Sequence, residues 1–202
     1  LRDAPPEDEG ERLALLTTIN DSTDWANRLI QDLLDVASIE AGRLSIVREP
    51  ERPRSLVLAA LQMFEVEAAE RSIELEANVA ASLPAVSADE GRIVQLLGNV
   101  MRNALKFSPD GSTITVGAQA GDSEVVFSVT DRGPGIPPEN RARVFERYWR
   151  SADGARHRGA GLGLSIARGI AEAHGGRMWL ESEIGGGTTF YFSLPSVGSS
   201  RT

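Results

Sequence analysis

With 202 residues, 41% hydrophobic and 25% charged, the chain is long enough for one full domain and a smaller appendage, and its makeup is that of an ordinary soluble globular protein. A formal charge of −8 opposes non-specific nucleic-acid binding. The absence of cysteine excludes disulfides and thiolate metal sites, and the two histidines, His157 and His174, are too few for a polyhistidine metal site. No run of 18 apolar residues occurs and no signal-like segment opens the chain, so a cytoplasmic setting without membrane contact by this fragment is expected, with a membrane anchor upstream in a parent protein left open.

Residues 1–10 are polar and contain Pro5-Pro6, which reads as a loop. From Glu11 to Ala41 a long amphipathic helix is expected. Leu16, Ile19, Thr23, Ala26, Ile30, Leu33 and Ala37 recur at steps of three and four, with Leu15, Leu29 and Val36 widening the stripe. The small or polar Thr23 and Ala26 weaken a lone two-stranded coil, and the wide stripe suits a bundle helix. Gly42 ends it. Leu44 to Val47 then reads as a short strand, Pro53 to Arg71 as a helix, Ile73 to Val79 as a strand and Asp89 to Phe107 as a long helix. Thr113 to Ala120 and Glu124 to Asp131 form a hairpin across Gly121-Asp122. Residues 146–160 lack periodicity and read as a mobile loop. Gly161 to His174 is a helix closed by Gly175-Gly176, and Arg177 to Glu183 with Thr188 to Leu194 make a last strand pair. The fold class is therefore an α+β two-layer sandwich, a mixed sheet with helices on one face, preceded by the long helix.

Three segments carry chemistry. In Asn99-Val-Met-Arg-Asn103-Ala-Leu-Lys106 the two asparagines share one helical face, with Lys106 a turn further on. An amide oxygen suits Mg²⁺ and an ammonium suits phosphate; the plain alternative is a helix surface with ordinary polar residues. Asp131-Arg-Gly133-Pro-Gly135-Ile136 ends an alternating strand in a carboxylate that can accept from an exocyclic amine, and its glycines let the backbone approach a flat ring. A simple strand-ending turn is the alternative. Gly159-Ala-Gly161-Leu162-Gly163-Leu164 precedes a helix, so its amides can converge on phosphate; it is neither a Walker loop nor a dinucleotide fingerprint, and a glycine linker is the alternative. Phe145-Glu-Arg147-Tyr148-Trp149 reads as packing or as an anchor for the loop that follows, and Gly185-Gly-Gly-Thr188 as a hairpin turn whose threonine can contact a base.

In this order the segments resemble the N, G1, F, G2 and final glycine boxes of the sensor histidine kinase catalytic domain. The resemblance covers Leu13 to Leu194. It implies the Bergerat ATP-binding fold shared with gyrase, the heat-shock chaperone ATPases and the mismatch-repair ATPases. It further implies that residues 1–44 are part of a dimerisation and phosphoacceptor hairpin and 45–202 the catalytic domain, that ATP and Mg²⁺ bind, and that a homodimer forms through the 11–41 helix. A response-regulator receiver domain is the expected signalling partner. By the same resemblance Asp131 holds the adenine amino group and Asn103 ligates Mg²⁺. Asn99 and Lys106 face the phosphates with Gly161 and Gly163 beneath them, and Arg147, Arg156 or Arg158 reaches the γ-phosphate. Gly133, Gly135, Ile136, Tyr148, Gly159, Leu162, Leu164 and Thr188 complete the nucleotide site. Asn99 stands where gyrase-like hydrolases carry a water-activating glutamate, which implies phosphoryl transfer rather than fast hydrolysis. Ala160 replaces the threonine often found in the G2 box.

The resemblance places the accepting histidine on a helix expected before Leu1, since His157 falls in the lid and His174 closes a helix. Autophosphorylation by these residues alone is therefore not expected. Two other readings stay open at this point: a nucleotide-gated interaction module docking through its apolar stripe, and an anti-sigma-type serine kinase of the same fold.

Overall fold

A computed structural model describes residues 9–150 and 160–197. The first element is the helix α1 (Glu9–Glu40), followed by β1 (Glu49–Glu51), α2 (Pro53–Gln62), α3 (Glu65–Glu70), β2 (Glu74–Val79), β3 (Val86–Ala88) and α4 (Glu90–Phe107). Next come β4 (Thr113–Ala120), β5 (Glu124–Thr130), two 3₁₀ turns at 138–140 and 143–145, α5 (Gly163–Ala173), β6 (Met178–Glu183) and β7 (Gly187–Pro195).

Five strands form one sheet in the order β2-β4-β5-β7-β6. The β2–β4 pair is parallel and the others are antiparallel, while β1 and β3 make a separate antiparallel ribbon. Strand alternation explains the two layers. Ile114, Val116, Val125, Phe127, Val129, Phe190, Phe192 and Leu194 are buried beneath α2, α4 and α5, whereas the intervening Thr115, Ser128, Thr130 and Tyr191 are only partly covered. Phe127 and Phe192 stack at 4.7 Å at the centre of that core.

The long helix α4 is fixed by both ends and by one face. Asp89 caps it by accepting the Arg92 amide at 3.1 Å, Lys106 stands in its last turn, and Ile93, Leu96, Leu97, Val100, Met101, Ala104 and Leu105 are buried. At the far end of α5, Gly175 and Gly176 stop the helix, with the Gly176 amide bonding back to Ala171 O at 3.0 Å.

Three elements differ from expectation. The strand expected at Leu44–Val47 is irregular chain, because the Val47 amide bonds the Asp89 carboxylate at 3.0 Å instead of a strand; the ribbon strand begins two residues later. The helix expected over Pro53 to Arg71 is two helices, broken where the Phe64 amide closes a tighter turn on Leu61 O and Phe64 itself is buried. The three-residue β3 is too short to show a pattern in sequence.

The C-terminal end of α1 lies on the sheet's helical layer. Asp35 and Val36 are buried, and Ile39 packs so closely on Gly169 of α5 that a Cβ there would meet its side chain at 2.7 Å. The Asp35 carboxylate accepts from Arg92 at 2.8 Å and Gln95 at 2.5 Å, both on α4. Leu15, Leu16, Ile19, Ile30 and Leu33 of the expected stripe are exposed.

Candidate functional site

The cleft is framed by one face of α4, the loop after β5, the β6–β7 turn and the start of α5. Four contacts hold these pieces together. A Cβ on Gly133 would lie 3.0 Å from Phe107 O at the end of α4, and the Gly185 amide bonds Pro134 O at 2.8 Å. The Ile136 amide bonds Ser182 Oγ at 2.8 Å, and a Cβ on Gly163 would sit 3.6 Å from the Asn99 amide group. Glycine is required at two of these places: Gly135 (φ +78°) passes against the Glu183 carbonyl, and Gly187 (φ +92°) against that of Asp131.

Asp131 is 5% exposed. Its Oδ1 accepts the Gly133 amide at 2.8 Å and the Thr188 amide at 3.2 Å. Among the described residues nothing donates to Oδ2. Burial pushes this carboxyl above the usual carboxylate range, against the pull of the two amides. A carboxylate oxygen left without a donor on an otherwise buried residue is a place for a ligand N–H.

On α4, Asn99 is 4% exposed. Its Oδ1 accepts from Arg102 at 2.6 Å, while its Nδ2 is a buried donor with no partner. The Asn103 Nδ2 reaches back to Asn99 O at 3.4 Å, which leaves its own Oδ1 unused. Among the described residues no three His, Asp or Glu side chains converge, so a cation here would rely on the Asn103 oxygen together with phosphate and water oxygens. Lys106 is half-buried with its Nζ 4.9 Å from the Phe107 ring centre. Burial, with the neighbouring charge of Arg150, holds its ammonium below the usual lysine value.

The rest of the expected set divides. Gly161 (φ +73°) lets the chain turn against Tyr148 and Trp149, and the Tyr148 amide bonds Gly161 O at 2.9 Å. Leu162 is buried and Leu164 packs on the core, at the start of α5. Tyr148 takes a left-handed backbone (φ +60°) and points largely into solvent. Arg147 is ion-paired with Glu40 at the end of α1, not turned to the cleft. Arg156, His157, Arg158 and Gly159 lie outside the described residues. His174 is buried with both ring nitrogens engaged, by Ile170 O at 2.8 Å and the Asp89 amide at 3.1 Å, so it is structural. Two further surface recesses, about 490 Å³ beside Arg143 and Tyr148 and about 650 Å³ beside Ile39 and Leu44, contain neither Asp131 nor Asn103.

Sequence reading missed Arg102, which ties up the Asn99 oxygen, and Ser182, which bonds both the loop and the turn. Arg102 lies inside the asparagine motif and was legible there. Ser182 carries no signal beyond strand alternation.

The chain is similar in sequence and fold to known proteins. The profile described as histidine kinase-, DNA gyrase B- and HSP90-like ATPase matches residues 88–198. The adaptive-response sensory kinase SasA of Trichormus variabilis (strain ATCC 29413 / PCC 7937) is 36% identical over 170 residues, covering 84% of this chain and 42% of SasA. The sensor histidine kinase WalK of Bacillus subtilis (strain 168) is 36% identical over 189 residues, covering 90% of this chain and 30% of WalK. Full-length ShkA in complex with AMPPNP superposes with a TM-score of 0.81 at 34% identity, over 92% of this chain and 39% of that one. The mycobacterial sensor histidine kinase MprB superposes with a TM-score of 0.65 at 31% identity, over 74% of this chain and 98% of that one. The chain thus spans less than half the length of these curated relatives.

Proposed function

Because the chain belongs to the histidine kinase-, DNA gyrase B- and HSP90-like ATPase family, we propose that it binds Mg-ATP in the cleft between α4, the Asp131 loop and the start of α5. It is homologous to sensor histidine kinases over most of its length. In the parent signalling protein, residues 45–202 are the catalytic domain and 1–44 part of the dimerisation hairpin. The γ-phosphoryl group passes to a histidine imidazole outside this domain, with ADP as leaving group, and onward to a response-regulator receiver.

The observation that carries this reading is the Asp131 carboxylate, buried with one oxygen saturated and the other lacking a donor. An adenine amino group supplies that donor. The unpartnered Asn99 Nδ2 suits a phosphate oxygen, as do the amides at the start of α5. Lys106 adds positive charge, and Asn103 is the residue that would hold Mg²⁺, which supplies charge neutralisation on the phosphates when bound. Asn99 also supports transfer over hydrolysis. Its oxygen is occupied by Arg102 and its nitrogen is a donor, so it cannot take a proton from water.

Calorimetry with ADP, with and without Mg²⁺, tests the site. Asp131→Asn should weaken ADP binding by about 10- to 100-fold, the worth of one charge-assisted hydrogen bond. Asn103→Ala should abolish the gain from Mg²⁺. Equal ADP affinity in wild type and Asp131→Asn sinks the adenine assignment. Mixing the chain with a helical hairpin bearing an acceptor histidine should yield acid-labile phosphate; acid-stable phosphoserine on a partner would instead favour the serine-kinase reading.

A further inference from the structure

One hydroxyl joins three parts of the site. Ser182 Oγ, on the core-facing side of β6, accepts the Ile136 amide at 2.8 Å. It lies 2.9 Å from Gly187 O and 2.8 Å from Thr188 Oγ1. A hydroxyl has one proton and two lone pairs. The Gly187 carbonyl can only accept, so the Ser182 proton points there. The Ile136 N–H fills one lone pair. The remaining contact must therefore be donated by Thr188. The Thr188 proton is committed to Ser182, and its oxygen has only lone pairs left to offer. Its neighbour Asp131, which accepts the Thr188 amide at 3.2 Å, likewise offers only an acceptor in Oδ2.

We propose that Ser182 is a specificity-determining positioning residue: by drawing the Thr188 proton onto itself it makes the base end of the cleft acceptor-only, so that a 6-aminopurine nucleotide is taken and a 6-oxopurine nucleotide is refused. The proposal rests on the nucleotide reading above and extends it to a residue outside every glycine and asparagine motif. At the 6-position an exocyclic amine presents an N–H donor to this surface. A 6-oxo group brings an oxygen with lone pairs, which Asp131 repels and to which Thr188 has no proton to give. With Ser182 removed, the Thr188 hydroxyl is free to rotate and donate to that oxygen. The carboxylate sets the base preference, and Ser182 prevents the threonine from relaxing it.

The test measures ADP and IDP binding to the full chain by calorimetry, for wild type, Ser182→Ala and Ser182→Thr, with circular dichroism as the check on folding. Ser182→Ala should weaken ADP and narrow the ADP-to-IDP preference by about five- to tenfold, the effect of one neutral hydrogen bond gained by the wrong base. Ser182→Thr keeps the hydroxyl and should keep the wild-type preference. Ser182→Cys fills the same space with a weak acceptor, and should narrow the preference too if alanine loosens the strand. Loss of ADP and IDP affinity by one common factor makes Ser182 merely structural and overturns the proposal, as does an unchanged preference. Wild type that binds neither nucleotide, or Asp131→Asn that binds ADP like wild type, overturns the nucleotide reading itself, a result separable from the Ser182 outcome.

Discussion

Asp131 is a carboxylate that the fold by itself would do better without. Burial raises its pKa above the ordinary value, and only the Gly133 and Thr188 amides oppose that shift. A carboxyl raised in the folded state adds stability below its ordinary pKa and loses it as pH rises through the folded value. At neutral pH the charge is therefore a cost. Asp131→Asn keeps an oxygen for the two amides and removes the charge. We expect it to melt at or above wild type at pH 7, by up to about 2–4 °C if the cost reaches ~1 kcal/mol. The gap should shrink as pH falls toward the carboxylate range, while ADP affinity is lost. Thermal melts from neutral pH down into the carboxylate range check this, and a variant melting several degrees lower at pH 7 contradicts it. Such a trade of stability for binding is common at sites. Asp131 was legible because it ends an alternating strand and precedes two glycines. Ser182 was not, because its contribution lies in where one proton points, which depends on three neighbours distant from it in sequence or across the strand pair.

Helices α1, α4 and α5 were readable because an apolar stripe every three or four residues states both the element and its buried face. What the pattern could not state is which neighbour each face meets. In α1 one helix carries two stripes with different fates. Val36 is buried, and Leu29 and Ile39 pack on the core, whereas Leu16, Ile19, Ile30 and Leu33 are exposed. The same limit hid the Leu44–Val47 segment, whose apolar alternation looks like a strand but whose Val47 amide is taken by Asp89. The docking of α1 hinges on Asp35, 2% exposed and held by Arg92 and Gln95. Asp35→Ala leaves the Arg92 guanidinium, about a quarter exposed, with Gln95 Oε1 but without its charge partner, and the half-buried Gln95 amide without this acceptor. Breaking a fully buried pair costs about 3–5 kcal/mol, so the partial exposure of Arg92 sets the expectation at roughly 2–3 kcal/mol. Urea denaturation measures it, and a loss below about 0.5 kcal/mol would show that the polar cluster does not hold the helix. Gly169→Ala approaches the same contact from α5. A Cβ would press on three atoms of the stiff, β-branched Ile39, so the usual helix gain of about 1 kcal/mol from alanine should not be realised. Faster proteolysis in the 41–48 linker, with ADP affinity unchanged, is the expected sign of a loosened α1.

At the scale of the molecule, one sheet-and-helix layer carries a 32-residue helix whose core contacts, among the described residues, lie at Leu29, Val36 and Ile39. A helix standing in water draws little stability from propensity alone, and most helical stability comes from packing an apolar face. Leu13, Leu16, Ile19, Ile30, Leu33 and Leu34 are between 44% and 67% exposed along α1, so this face needs a partner to stay helical. We propose that a second copy of the chain covers it with its matching stripe, the homodimer that the histidine-kinase resemblance implies for the full-length protein. The net charge of −8 works against it, since two acidic bodies repel at low ionic strength. Self-association should therefore strengthen as salt rises from 0.05 to about 0.5 M, the reverse of a contact held by opposite charges. Helical signal should fall on dilution as the unpaired first half of α1 frays. Ile19→Glu with Ile30→Glu places charge in the stripe and should give a monomer at every concentration, with ADP affinity unchanged because neither residue belongs to the cleft. Sedimentation equilibrium at two salt concentrations decides the matter. A wild-type chain that stays monomeric in high salt at high concentration, with its helical signal intact, would mean that α1 is stabilised without a partner and that its exposed stripe does not drive self-association.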